Sequence, residues 1–211
     1  MEILCFAMEY SFHVYNQLAP DGVMMALDKL LAYTASKKGK MAGAGMQSTE
    51  NDPLPVVVCV GSDLAIGDSL GPITGSMLRY KTQGLSVFLY GTLSAPVTAK
   101  EIVYMRSFLK ETHPKSPIIA IDAAVGEEGD IGLIKLSDSP LRPGAGANKK
   151  LGAIGDISVM GIVAEKSVSN YGLLNTTRLN LVYTMSEIIS EGVSTLLWER
   201  FGKKGARIKN A

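Results

Sequence analysis

Apolar positions along this chain change their spacing several times, and each change marks an element. Tyr10 to Asn16 alternates as a strand does, and Pro20-Asp21 then offers a helix start, after which Val23, Leu27, Leu30 and Leu31 fall on one helical face. Through residues 36–53 the periodicity is lost among Lys37-Lys-Gly-Lys40 and Ala42-Gly-Ala-Gly45, which predicts a flexible loop. Regularity returns at Pro55. The pattern predicts strand 55–61, helix 70–81, strand 86–90, helix 96–111 and strand 117–122, and connections of this length imply parallel pairing through right-handed crossovers. Beyond Asp122 come a turn at Gly126–Asp130 and two short strands, 131–136 and 154–163, with no helix between them. Part of the sheet is therefore expected to be antiparallel. A long final helix is expected over 171–190, with Gly192 interrupting it before 193–201 and a basic, frayed tail at 202–211. The expectation is one α/β domain over residues 1–211 with a mixed, mostly parallel sheet.

Composition narrows this picture chiefly by exclusion. A chain of 211 residues that is 46% hydrophobic can build one substantial core. The formal charge of +1 gives no general attraction for nucleic acid or for a membrane surface, so neither is expected as a partner. Two cysteines, Cys5 and Cys59, form no disulfide framework, and Cys59 lies in an apolar run as a small core residue, which suits a reducing, cytoplasmic compartment. The first residues include Glu2 and Glu9 and lack the basic stretch of a signal peptide, and no apolar run approaches a membrane span.

The chemistry concentrates in two places. The apolar run from Pro55 empties into Gly61-Ser-Asp-Leu-Ala-Ile-Gly-Asp-Ser-Leu-Gly-Pro72, and the run from Pro117 ends on Asp122. Loops leaving the carboxyl ends of neighbouring parallel strands converge, so Asp68 and Asp122 are expected to share one crevice. Two close carboxylates do not both ionise cheaply, and a pair sharing a proton supplies one acid and one base. Structural duties are equally open at this point, with Asp68 capping the next helix and Asp122 tying down its own loop. Gly67-Asp-Ser-Leu70 also spells the signature of the GDSL esterases, with Ser69 as nucleophile. That reading lacks a base, since His13 and His113 are the only histidines and His113 precedes its strand at the opposite edge. The loop Leu141-Arg-Pro-Gly-Ala-Gly-Ala-Asn-Lys-Lys150 has no phosphate-loop signature. Its glycines would let backbone approach an extended substrate while Arg142, Lys149 or Lys150 supplies charge, and a solvated surface loop is the plainer alternative. Asp63, Asp130 and Asp156 suit turns or caps, and Glu101 suits a solvated helix face.

Together, Val60 to Pro72, Tyr90-Gly-Thr-Leu93, Ile119-Ala-Ile-Asp-Ala123, Arg142 to Lys150, Gly155-Asp-Ile-Ser158 and Asn175-Thr-Thr-Arg-Leu179 resemble the YyaC family, named as sporulation proteases. The resemblance covers about residues 10–190. That family is similar to the germination protease of bacterial spores and, more distantly, to hydrogenase maturation endopeptidases. What this implies is a three-layer α/β/α sandwich, an endopeptidase of sporulating or germinating cells, and Asp68 and Asp122 in the places of the germination protease's two essential aspartates. It also implies protein or peptide substrates, spore proteins among them, with Arg142, Gly144, Gly146, Asn148 and Lys149 as substrate-binding residues; a homo-oligomer is compatible with it. No metal or cofactor is implied, because the nickel-holding histidine of the maturation enzymes lies beyond the second carboxylate and no histidine follows His113 here. The rival expectation is a non-catalytic sporulation protein that binds a partner in the same cleft.

Overall fold

The structure, a computed structural model, describes residues 8–37, 53–144, 151–166 and 177–208. Among these described residues six strands and four helices follow one another as β1 (Glu9–His13), α1 (Ala19–Lys37), β2 (Val56–Cys59), α2 (Leu70–Lys81), β3 (Phe88–Tyr90), α3 (Ile102–Thr112), β4 (Ile118–Gly126), β5 (Leu133–Ser137), β6 (Ile157–Glu165) and α4 (Leu179–Ile208). One sheet holds all six strands in the order β1-β5-β6-β4-β2-β3. β3, β2, β4 and β6 pair in parallel, while β5 runs antiparallel to both β6 and β1. The sheet is thus mixed and mostly parallel, as the spacing of the apolar runs requires.

Side-chain alternation splits the core into two layers. Val57, Cys59, Ile119, Ile121, Ile157 and Val159 point to the face covered by α1, α2 and α4, where Val23, Leu27, Leu70, Met185 and Ile189 meet them. Val56, Val58 and Ala120 point the other way, onto Ile102, Met105 and Leu109 of α3. Helices on both faces make a three-layer α/β/α sandwich. Strands buried on both sides are written as continuous apolar runs, which is why β2 reads Val-Val-Val-Cys without alternation. Full burial of each such Val, Leu or Ile contributes roughly 1.5–3 kcal/mol, so the central strands carry much of the stability.

Several boundaries differ from the expectation. α1 runs to Lys37, whose ammonium pairs with Asp138 at 2.9 Å, so the first residues of the expected loop are helical; residues 38–52 lie outside the described residues. α3 begins at Ile102 rather than near Pro96, after a turn in which the Glu101 N–H donates to Thr98 O at 3.0 Å and the two side chains are tied together. The Thr98 N–H donates to Glu101 Oε2 at 3.0 Å, its hydroxyl donates to the same oxygen, and Lys100 N–H donates to Thr98 Oγ1 at 3.2 Å. These bonds hold the Glu101 carboxyl below its ordinary pKa. Glu101 is exposed at the N-terminus of α3, with its carboxyl group bonded to Thr98.

The largest difference is in the final helix. α4 is continuous from Leu179 to Ile208, so Gly192 does not break it and the expected tail is helical to 208; residues 171–176 and 209–211 lie outside the described residues. Gly192 marks a close approach of α4 to α1. A β-carbon there would stand 2.7 Å from Val23 Cγ1 and 2.8 Å from the Pro20 carbonyl oxygen. Sequence punctuation treats a helical glycine as a break, whereas here it permits helix packing.

Gly192→Ala would gain about 1 kcal/mol in helix propensity, but the added carbon meets a backbone oxygen that cannot swing aside. Overpacking of this kind costs about 1–3 kcal/mol and should win, more so for Gly192→Val. Urea denaturation is expected to give a lower midpoint for both variants. A raised midpoint for Gly192→Ala would show that the approach is not tight.

Candidate functional site

The end of β2 positions the first aspartate. Past Cys59, the Val60 N–H donates to Ile121 O at 2.7 Å and keeps the chain on β4. Gly61 then turns with φ +139 and donates its N–H to Val97 O at 3.0 Å. After the loop the chain returns: Ser62 N–H donates to Asp68 O at 3.0 Å, and Ile66–Ser69 forms a 3₁₀ turn that leads into α2. A β-carbon at Gly61 would lie 2.1 Å from Asp68 O, and one at Gly71 would lie 2.0 Å from Val60 O. Backbone therefore packs on backbone, and the turn carrying Asp68 is fixed against the carboxyl end of β2. That turn also touches β4.

Asp122 lies within β4 and not at its end, since the strand continues to Gly126 with an irregularity at Ala124/Val125. It stands opposite Met160 of β6, one step beyond the residue to which Val60 is bonded. Alternation puts it on the same face as Ala120, the α3 side, and it is only 7% exposed. The Ala123 N–H donates to its Oδ1 at 2.8 Å. Burial pushes the Asp122 carboxyl well above its ordinary pKa, the negative charge of Asp68 pushes it further, and the Ala123 N–H opposes them in part. The pair thus divides into a buried carboxyl whose pKa is raised and a half-buried one on the adjoining turn.

The other residues singled out by sequence are placed elsewhere. Ser69 is buried, and its hydroxyl donates to Ile66 O at 2.7 Å. It occupies the N-cap position of α2 without a side-chain cap bond. Neither histidine attends it: His113 Nε2 is 2.8 Å from the Tyr90 hydroxyl at the amino end of β4, and His13 Nδ1 accepts the Tyr15 N–H at 3.3 Å beside β5. The serine–histidine arrangement of an esterase is not assembled. Asp156 Oδ2 accepts the Ile118 N–H at 2.9 Å, and Asp130 pairs with Lys135 at 2.6 Å, so both are structural.

The Gly-bearing loop is rooted at the amino side of the sheet, where Leu141 and Ile154 pair. Arg142 is exposed and Gly144 turns with φ +72 at that root, away from the elements that carry Asp68 and Asp122. Gly146, Asn148 and Lys149 lie outside the described residues. On its return the loop follows the α3 face, with Gly152 against the Arg106 guanidinium. Sequence reasoning missed the segment 91–97, whose Val97 pairs with Val60 and holds Gly61, and so forms a second support of the site. The signal was the apolar Val97 beside the turn residues Pro96 and Gly91. Among the described residues no group of three or more His, Cys, Asp or Glu side chains is placed to hold a metal ion. No helix among them is long and apolar enough to cross a membrane.

This combination defines an α/β/α protein with two aspartates brought together at the carboxyl edge of its parallel strands. The chain belongs to the family described as "Protein of unknown function (DUF1256)", whose model matches residues 36–192. It is similar to "Uncharacterized protein YyaC" of Bacillus subtilis (strain 168), with 40% identity over 139 residues, 66% of this chain and 67% of that protein. The resemblance to the YyaC family drawn from the motifs is thereby shown. No solved structure matches the chain.

A raised carboxyl pKa carries a stability consequence of definite sign. Between the ordinary carboxylate value of about 4 and the raised folded value of Asp122, the native state binds a proton that the unfolded chain has released. Its contribution to stability is therefore greatest at low pH and is lost as pH rises through that window. Asp122→Asn removes the penalty, so its urea midpoint should exceed that of the wild type at pH 7, with the gap closing towards pH 4. Asp68→Asn should narrow the window from above. Parallel stability curves for Asp122→Asn and the wild type across this range would contradict the placement of Asp122.

Proposed function

We propose that the chain is an aspartate-dependent endopeptidase of the cytoplasm of sporulating or germinating cells, acting on protein substrates such as the small acid-soluble spore proteins. The single observation that carries the chemistry is the juxtaposition of Asp122, buried on β4 with its carboxyl pKa raised by burial and by Asp68, with Asp68 itself on the turn after β2. In this reading Asp68 takes a proton from water as the water oxygen attacks the peptide carbonyl, and Asp122 gives its proton to the carbonyl oxygen. Collapse of the resulting diol breaks the C–N bond and moves one proton to the leaving amine, which leaves an acid and an amine and restores the pair. The biological setting and substrate rest on the family resemblance.

Purified protein should cleave small acid-soluble spore proteins, and Asp68→Asn and Asp122→Asn should each lose nearly all of that activity while remaining folded. Activity should survive EDTA and follow pH through two apparent pKa values that belong to the pair. Ser69→Ala should stay within a few fold of the wild type, because a true nucleophile would lose on the order of a thousandfold or more. If wild type and both Asp→Asn variants are equally inert yet bind the substrate protein, the cleft is a binding site and the peptidase reading fails. Loss on chelation, restored by one divalent ion, would replace the acid–base pair with a metal-assisted route.

A further inference from the structure

Asp122 is 7% exposed, so the side chains around it decide what reaches its carboxyl. Strand register supplies those neighbours. Cys59 pairs with Ile121, which puts Val60 level with Asp122 on the β2 side, and Met160 is the direct partner of Asp122 on β6. Ala120 and Ala124 lie before and after it on the same face of β4. Val60 and Ala120 are buried, which leaves Met160 and Ala124 as the partly exposed neighbours of the carboxyl. The Ala123 N–H donates to Asp122, and no side chain among the described residues does.

Met160 stands apart from the rest of its strand. Between Ile157 and Ala164 every other residue of β6 is buried, and Met160 alone keeps part of its side chain accessible. It packs against the core on the α3 side, so this accessible part lies on the same face as Asp122. On its other flank its register partner is Lys135 of β5, whose ammonium is held by Asp130 at 2.6 Å. The opening beside Asp122 is therefore lined by a small and a flexible apolar residue, and it ends at an ion pair whose charges already have partners. An unbranched thioether side chain shifts readily to fit another apolar group.

We propose that Met160 and Ala124 form the specificity subsite of the aspartate pair and receive one apolar side chain of the substrate, about the size of Leu or Met, next to the bond that is cut. The proposal rests on the peptidase reading above. Neighbouring strands lie about 4.8 Å apart, a distance that a leucine side chain spans from its own carbonyl. A substrate carbonyl bonded to Asp122 thus sets an adjoining side chain over Met160 or Ala124. A charged side chain there would lose its water without gaining a partner on the β6 side, since Lys135 is committed to Asp130, and an acidic one would also meet Asp68. A basic side chain drawn to Asp68 is the rival occupant, which the experiment separates.

Internally quenched peptides tiling a small acid-soluble spore protein locate a bond that the full chain cuts, and the residue on each side of that bond is then varied among Leu, Ala, Phe, Lys and Glu. At one of the two positions kcat/KM for Leu should exceed that for Ala, Lys and Glu by at least tenfold, the scale that a few methylenes reach in an apolar pocket. Met160→Phe and Ala124→Leu, which fill the subsite from two walls, should each lower the Leu-to-Ala ratio by at least tenfold, and Met160→Ala should raise the Phe-to-Leu ratio. Such ratios do not depend on what fraction of a variant folds. Unchanged ratios in both filled variants, or a preference for Lys or Glu, would overturn the subsite and leave the peptidase reading standing. If no peptide is cut, the peptidase reading fails, and fluorescence anisotropy of the same peptides decides the subsite alone. Binding of an apolar peptide that Met160→Phe weakens at least tenfold supports it, whereas no binding, or binding indifferent to Met160, overturns it.

Discussion

The carbonyl of Val60 leaves no room for a side chain at position 71, and the carbonyl of Asp68 leaves none at position 61. Glycine at these two places lets the start of α2 and the returning loop lie directly on the end of β2. Any larger residue would push the 3₁₀ turn away from the sheet, and with it the one element that brings a second carboxylate near Asp122. Position 61 has a further restriction, because its φ of +139 is one that residues with a β-carbon rarely adopt. The parallel pairing of β2 with β4 fixes the other half of the arrangement. Val57 lies beside Ile119 and Cys59 beside Ile121, so Asp122 falls level with the point where β2 turns away. Two strands and two glycines thus set the position of the pair.

Electrostatics then gives the two carboxylates different roles. Asp122 is buried against apolar strands with one hydrogen bond, from its neighbour Ala123, while Asp68 sits half exposed on a turn. Desolvation acts on the first far more than on the second, and the charge of the second adds to the effect. A fold under pressure for stability alone has a simple remedy in an apolar residue at position 122, which would remove the penalty and fill the same space. A carboxyl with its pKa raised in this way suits the acid–base reading proposed for the pair.

Much of this architecture was legible from the chain because burial writes itself into the order of residue types. Central strands buried on both faces appear as Val56–Cys59 and Ile118–Ile121, and the half-buried α1 appears as Val23, Leu27, Leu30 and Leu31. The carboxyl-edge rule then made Asp68 and Asp122 visible as a pair. What stayed hidden depends on long-range contact. Gly192 reads as a break until Pro20 and Val23 are seen to press on it. Asp122 reads as a strand end because Ala123, Ala124 and Gly126 are poor strand formers, and only pairing with β6 carries the strand on. The turn at Thr98 and Glu101 was written locally, as Thr-x-x-Glu, but the apolar residues before it drew the helix start too early. The root of the Arg142 loop depends on the antiparallel β5, whose exit at the amino side no local pattern reveals.

The segment between β3 and α3 links the open sheet edge to the aspartates. Leaving β3, it turns at Gly91, and the Leu93 N–H donates to Ser76 Oγ on α2 at 2.9 Å. Thr92 and Ala95 then exchange backbone bonds at 3.1 Å, and the segment ends with Val97 accepting the Gly61 N–H. One short stretch therefore fastens the helix that follows Asp68 and the glycine that precedes it, while its own anchor is the outermost strand. Terminal strands with one free side open more readily than central ones, having fewer bonds to break. Acid–base chemistry tolerates little movement between its two groups, since displacement by about 1 Å can cost on the order of a hundredfold in rate. Movement of the β3 strand would thus bear on the aspartate pair mechanically, through Val97 and Gly61.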